Sequence, residues 1–177
     1  MSDREGDSAN PFLTFVLGGA RSGKSAYAEG LIMAHPAPWI YIATAEAFDD
    51  EMRMRIDAHQ ARRGGNWRTT EAPQNLPRAI GQASAEAPLL IDCLGIWLSN
   101  RMLAGADLAA DRAALIVALM ARRAPTVVVS PEVGLSIVPE NALARAFRDA
   151  AGLLHQEVAR VSAQVALVVA GYPVKVK

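Results

Sequence analysis

The octet Gly18-Gly19-Ala20-Arg21-Ser22-Gly23-Lys24-Ser25 follows directly on the apolar run Phe12-Leu13-Thr14-Phe15-Val16-Leu17. It satisfies every fixed position of the pattern G-x-x-x-x-G-K-[ST], and it does so in the required context of a buried strand before the loop and a helix after it. Each residue type has its own physical reason. Glycines let the backbone turn tightly enough to aim N–H groups at phosphate oxygens, Lys24 reaches the terminal phosphates, and the Ser25 hydroxyl suits a Mg²⁺ ion bound with them. A helix starting near Lys24 turns its positive dipole end to the same point. Arg21 and Ser22 either add donors to the loop or face solvent. The pattern implies a bound nucleoside triphosphate, ATP or GTP.

The rest of the chain reads as alternating strands and helices. Trp39-Ile40-Tyr41-Ile42-Ala43, Pro88-Leu89-Leu90-Ile91-Asp92 and Thr126-Val127-Val128-Val129-Ser130 are short apolar runs of the kind that form doubly buried strands. A weaker strand is expected over residues 66–70, another over 165–170 and a last short one over 174–177. Helices are expected over 25–34, 49–63, 76–85, 94–104, 111–123 and 141–162, the last weakened at Gly152. This alternation predicts an α/β fold with a mostly parallel sheet and helices on both faces, built around the phosphate loop.

At 177 residues the chain suits one domain, expected over residues 12–177 behind a flexible polar tail of residues 1–11. A formal net charge of zero gives no electrostatic footprint for nucleic acid. No apolar run approaches the length that spans a bilayer. The start of the chain does not read as a signal peptide, because Asp3, Glu5 and Asp7 precede an apolar run that ends in the phosphate loop. The single cysteine, Cys93, excludes an internal disulfide, fits a cytoplasmic location and reads as a small buried hydrophobe.

Two further places carry chemistry. Asp92 ends a buried strand at the carboxyl edge, where open α/β sheets place their ligands. An acid there holds Mg²⁺ beside Ser25, caps the helix that follows, or does both. In the helix over 49–63, Arg55, His59 and then Arg62 or Arg63 recur at i, i+4 and i+7 or i+8, on one face. Positive neighbours disfavour the imidazolium, leaving His59 neutral as a nucleophile or base, with the guanidiniums free to bind phosphate; the plain alternative is a solvated basic face. His35 and His155 read as structural or surface residues.

Taken in order, the phosphate loop, Tyr41-Ile42-Ala43-Thr44-Ala45, Asp50-Glu51-Met52, Arg55-Ile56 with His59, and Trp67-Arg68-Thr69 before Glu71 resemble one specific family. The likeness continues through Glu132-Val133-Gly134, Ile137-Val138-Pro139-Glu140, Arg145, Phe147-Arg148-Asp149 and the tail over 171–177. The chain is similar to the bifunctional adenosylcobinamide kinases and adenosylcobinamide-phosphate guanylyltransferases of cobalamin assembly. The resemblance implies a RecA-type fold and a homotrimer with sites near subunit boundaries. It implies phosphoryl transfer from ATP or GTP to the aminopropanol hydroxyl of adenosylcobinamide, then GMP transfer from GTP to adenosylcobinamide phosphate through a guanylyl-histidine at His59. It carries nucleotide contacts to Gly18, Gly19, Ala20, Arg21, Ser22, Gly23, Lys24 and Ser25. Further contacts fall on Ala43, Thr44 and Ala45, on Gln60, Ala61, Arg62 and Arg63, and on Glu71 and Asp92. Catalysis is assigned to His59 and Lys24, and Mg²⁺ to Ser25 and Asp92.

The chain departs from that pattern at four places. Pro131 stands where an asparagine or another polar residue is usual, Gly95 where a threonine is, and His155 where an asparagine is. Ala58 precedes His59 where some members carry a second histidine, so one histidine remains as the nucleophile. Two other readings stay open on the residues alone: a small-molecule kinase without guanylyl transfer, and a nucleotide-binding regulatory protein.

Overall fold

The computed structural model describes residues 9–45 and 64–177. The helix expected over 49–63, and with it His59, Gln60, Ala61, Arg62 and Arg63, lies outside the described residues. Among the described residues the elements are β1 (Asn10–Gly18), α1 (Lys24–Met33), β2 (Trp39–Ala43), β3 (Trp67–Glu71), α2 (Leu76–Gln82), β4 (Leu89–Asp92), α3 (Leu94–Leu103), α4 (Leu108–Met120), β5 (Thr126–Pro131), α5 (Ala142–Val161), β6 (Ser162–Val169) and β7 (Tyr172–Lys175). The strands form one sheet in the order β3-β2-β4-β5-β1-β6-β7. Every neighbouring pair is parallel except β6 with β7, which is antiparallel. The α/β fold expected from the alternation is the one observed, with β7 as its antiparallel edge.

Period-two alternation divides the core between the two faces of the sheet. Leu13, Phe15, Ile42, Leu89, Ile91, Val128 and Val165 point to the face covered by α2, α3, α4 and α5. Val16, Tyr41, Leu90, Val127, Val129 and Val168 point to the other, where Ala28 and Ile32 of α1 pack on them. Both faces of the central strands are therefore apolar, which is why those strands were visible as unbroken hydrophobic runs.

Several boundaries differ from the sequence expectation for identifiable reasons. β1 starts at Asn10 rather than Phe12, because the buried Asn10 amide donates to the Leu119 and Arg122 carbonyls at 2.9 and 3.1 Å. Those carbonyls lie at the end of α4 and just past it, so the Asn10 amide ties the start of β1 to that helix terminus. α2 stops at Gln82, three residues short, and the following chain turns the Ser84 and Ala87 carbonyls to the buried Arg122 guanidinium at 2.8 and 2.6 Å. α4 begins early, at Leu108, because the Asp107 carboxylate accepts the Ala109 and Ala110 N–H groups. Gly152 leaves α5 unbroken over 20 residues. β6 follows α5 without a loop, starting at Ser162 rather than 165, and the Ser162 hydroxyl donates to the Val158 carbonyl at 2.7 Å.

Gly95, in the first turn of α3, packs against Pro131 at the end of β5. A β-carbon on Gly95 would meet the proline Cδ at 2.6 Å and its Cγ closer still. Two of the departures noted above are thus one exchange: the pyrrolidine ring occupies the space a side chain at 95 would need. Gly95→Ala is expected to lower stability by about 1–3 kcal/mol through overpacking against a rigid ring. Gly95→Ala combined with Pro131→Ala should recover most of that loss in urea unfolding; an additive double variant would show the two positions to be independent.

Candidate active site

The carboxyl ends of the parallel strands converge on one edge of the sheet, and the phosphate loop leaves β1 in the middle of it. The loop is held from both sides. Gly18 tolerates no side chain, since a β-carbon would lie 2.5 Å from Ser22 Oγ and 2.8 Å from the Val168 carbonyl oxygen. Gly23 has φ +93°, which favours glycine, and it is the residue from which α1 starts. The Gly171 N–H donates to the Ser22 carbonyl at 2.8 Å, so the turn between β6 and β7 braces the loop from behind. Arg21 also has positive φ, at 55°, and its side chain is exposed.

What the loop leaves unspent suits an anion. No side chain caps α1 and no acid lies in its first turn, so its leading N–H groups and dipole face the loop uncompensated. Ser22 Oγ is buried without a hydrogen-bond partner. The Lys24 ammonium folds back onto the Gly19 carbonyl at 3.2 Å, a contact that a phosphate oxygen would replace with a charge-assisted one.

The other described candidates occupy the same edge. Glu71, Ala43 and Asp92 are register partners across β3, β2 and β4, and the same row runs on through Val129 to Val16. Glu71 lies at the exposed end of edge strand β3. Asp92 does not cap α3: the N-cap position is Cys93, and no side chain bonds there. The capping alternative for Asp92 is therefore corrected, and its half-buried carboxylate is not committed to the helix. Thr44 is fully buried, and its hydroxyl donates to the Cys93 carbonyl at 2.7 Å and accepts from the Cys93 N–H at 2.9 Å. Its side chain braces the end of β4. Ala45, next to it, is half-buried. Burial, reinforced by the charge of Asp92, pushes the Cys93 thiol up to about 12, which makes it inert and hydrophobic in character.

Among the described residues no three His, Cys, Asp or Glu side chains gather as a self-sufficient metal site. This fits Mg²⁺, which is commonly held by one or two protein oxygens together with substrate phosphates. Ser25, in the first turn of α1, and Asp92, at the end of β4, are of the right chemistry for that role.

Sequence reasoning passed over Glu132, Ser130 and the true setting of His155. His155 is buried on α5, its Nε2 2.8 Å from Ser130 Oγ and its Nδ1 3.7 Å from Glu132 Oε2, with its ring 5.7 Å from that of Phe15. Burial lowers its pKa, against an opposing pull from Glu132, so the ring is neutral at pH 7. The Glu132 N–H donates to the Gly18 carbonyl at 3.0 Å, which joins this group to the root of the phosphate loop. The loop after Glu132 is tied to α5 by Arg148, which donates to the Gly134 carbonyl at 2.8 Å, and by Arg145, which donates to the Pro139 carbonyl at 3.0 Å. The signal available in the sequence was an acid just beyond a buried strand, the same signal that marked Asp92.

The family model of cobinamide kinase / cobinamide phosphate guanyltransferase matches residues 14–176. The chain is 43% identical to the bifunctional adenosylcobalamin biosynthesis protein CobP of Pseudomonas aeruginosa over 92% of this chain and 95% of that one. It is 38% identical to the bifunctional adenosylcobalamin biosynthesis proteins CobU of Salmonella typhimurium and of Escherichia coli, in each case over 93% of this chain and 99% of the relative. With the phosphate loop intact and the match running through both ends of the sheet, the chain belongs to the cobinamide kinase / cobinamide phosphate guanyltransferase family.

Proposed function

We propose that this protein phosphorylates the aminopropanol hydroxyl of adenosylcobinamide with ATP or GTP and then transfers GMP from GTP to the product, giving adenosylcobinamide-GDP. The observation that carries the reading is the phosphate loop, with its unpaired buried hydroxyl and uncapped helix, inside a family match spanning almost the whole chain.

In the first reaction the loop N–H groups, Lys24 and Ser22 stabilise charge on the transferring phosphoryl group. Ser25 and Asp92 would hold Mg²⁺, which would supply positive charge against the phosphates. In the second, a neutral nitrogen of His59 attacks the α-phosphorus of GTP, pyrophosphate leaves, and the phosphate of adenosylcobinamide phosphate then displaces the histidine. Gln60, Ala61, Arg62 and Arg63 contact the guanine nucleotide on this reading, together with Ala43, Thr44, Ala45 and Glu71. Because Thr44 has its hydroxyl engaged with Cys93, its contribution to nucleotide is through backbone and shape.

The reading includes a homotrimer. Exposed Leu135, Ile137 and Val138 beside the site, and Tyr172 and Val174 on edge strand β7, form apolar surface that a neighbouring copy would cover. It also includes the cytoplasm, with which the single buried thiol is in keeping. Among the described residues no helix is long and apolar enough to cross a membrane.

Incubation with Mg²⁺ and GTP labelled at the α-phosphate is expected to label the protein with acid-labile, alkali-stable radioactivity. His59→Ala should abolish the label while its thermal unfolding midpoint stays in place; label persisting in that variant would remove His59 from the mechanism. Lys24→Ala is expected to lower phosphorylation of adenosylcobinamide by at least about 100-fold, through lost stabilisation of phosphoryl charge. Turnover close to that of the parent protein would contradict the assignment of the loop. Light scattering should give three times the chain mass, and a monomer would overturn the trimer.

A further inference from the structure

Three acids stand at or just beyond the carboxyl ends of parallel strands, and they are not equivalent. Glu71 is on the exposed edge strand, four strands from β1, and Asp92 is two strands away with β5 between. Glu132 follows β5, which pairs directly with β1, and its own N–H is bonded to Gly18, the first residue of the phosphate loop. Of the three, its backbone alone is tied to the loop that holds the transferring phosphate.

The Glu132 carboxylate is oriented rather than free. Oε1 accepts the Gly134 N–H, and Oε2 faces the His155 imidazole. The imidazole is itself fixed by Ser130, whose side chain is fully buried, and by the Phe15 ring. The Ser130 contact fits a hydroxyl that donates to Nε2, and in that tautomer the one N–H of the neutral ring lies on Nδ1, turned to Oε2. At 3.7 Å the ring is an electrostatic neighbour of the carboxylate that limits where it can turn, without the full positive charge that would form an ion pair. The Glu132 side chain keeps 20% of its surface exposed, enough to meet a substrate group.

We propose that Glu132 is the catalytic base of the phosphoryl-transfer step and that His155 is its positioning residue; this rests on the function proposed above. The substrate hydroxyl oxygen forms a bond to the γ-phosphorus while the bond from that phosphorus to the β,γ-bridging oxygen breaks. The electron pair leaves with the nucleoside diphosphate, and the hydroxyl proton passes to Glu132 Oε2 and from there to water.

The test measures two activities in one preparation: phosphorylation of adenosylcobinamide from γ-labelled ATP, and formation of guanylyl-protein from α-labelled GTP, in which no hydroxyl is deprotonated. Glu132→Gln is expected to lower kcat for phosphorylation by about 100-fold or more relative to guanylylation, with KM for adenosylcobinamide changed by less than about threefold. Guanylylation in the same sample reports on the fold. His155→Ala should lower the phosphorylation kcat by about tenfold, and His155→Asn, whose amide N–H can take the place of Nδ1–H, should restore most of it. Phosphorylation by Glu132→Gln within about threefold of the parent rate would overturn the base assignment and leave the proposed function standing. A parent protein that forms guanylyl-protein but does not phosphorylate the substrate would overturn both the kinase half of that function and this proposal.

Discussion

The structure turns on the close approach at Gly18. At the carboxyl end of a strand flanked by β5 and β6, the backbone passes so near Ser22 and the Val168 carbonyl that no side chain fits. From that point the loop has little freedom, because the β6–β7 turn holds the Ser22 carbonyl and Gly23 sets the entry to α1. The unsatisfied donors at the start of α1 are thereby fixed in space before any ligand arrives. A phosphate binding there orders little that is not already ordered, and preorganisation of this kind is what allows electrostatic stabilisation at the moment of transfer.

Around that loop, polar groups divide sharply into those used for construction and those left for chemistry. Asn100 donates to the Thr44 and Pro73 carbonyls, both at 3.1 Å, and Trp97 Nε1 donates to the Gln74 carbonyl at 3.0 Å. Arg101 joins Gln74 to Asp111. One helix, α3, thus fixes both the exit from β2 and the chain after β3. Asn100 and Trp97 are satisfied by backbone carbonyls, and losing either side chain removes the donor from its carbonyl as well as the bond itself. Ser22, Lys24 and Asp92 contrast with them: the Ser22 hydroxyl lacks a partner, Lys24 makes an exchangeable contact with the Gly19 carbonyl, and Asp92 does not cap the helix that follows it.

Much of this was legible in the sequence, for physical reasons that also set the limits. The central strands could be read because burial on both faces leaves continuous apolar runs, and the phosphate loop because its backbone demands glycine at fixed spacing. Sheet order could not be read: nothing in the segment over 172–175 says that it pairs antiparallel with β6. The start of β6 was missed because Ser162-Ala163-Gln164 carries no apolar signal, although Ser162 is buried and closes α5. The structural reading of His155 fits its burial, but its partners Ser130 and Glu132 could not be read because a position on an amphipathic helix gives no hint of which strand end lies beneath it. The capping alternative for Asp92 failed because local sequence does not fix which residue takes the N-cap position, which is Cys93.

The departures from the family pattern that fall on described residues converge on one carboxylate. Gly95 and Pro131 exchange space with each other directly before Glu132, and His155 faces Glu132 from α5. The phosphate loop, by contrast, keeps every fixed residue of its pattern. The described departures lie next to a rigid ring that restricts how the chain enters residue 132. The Glu132 N–H bond to Gly18 holds the chain just past β5 to the root of the loop. Position and orientation of that acid thus depend on Pro131, His155 and the Gly18 carbonyl together.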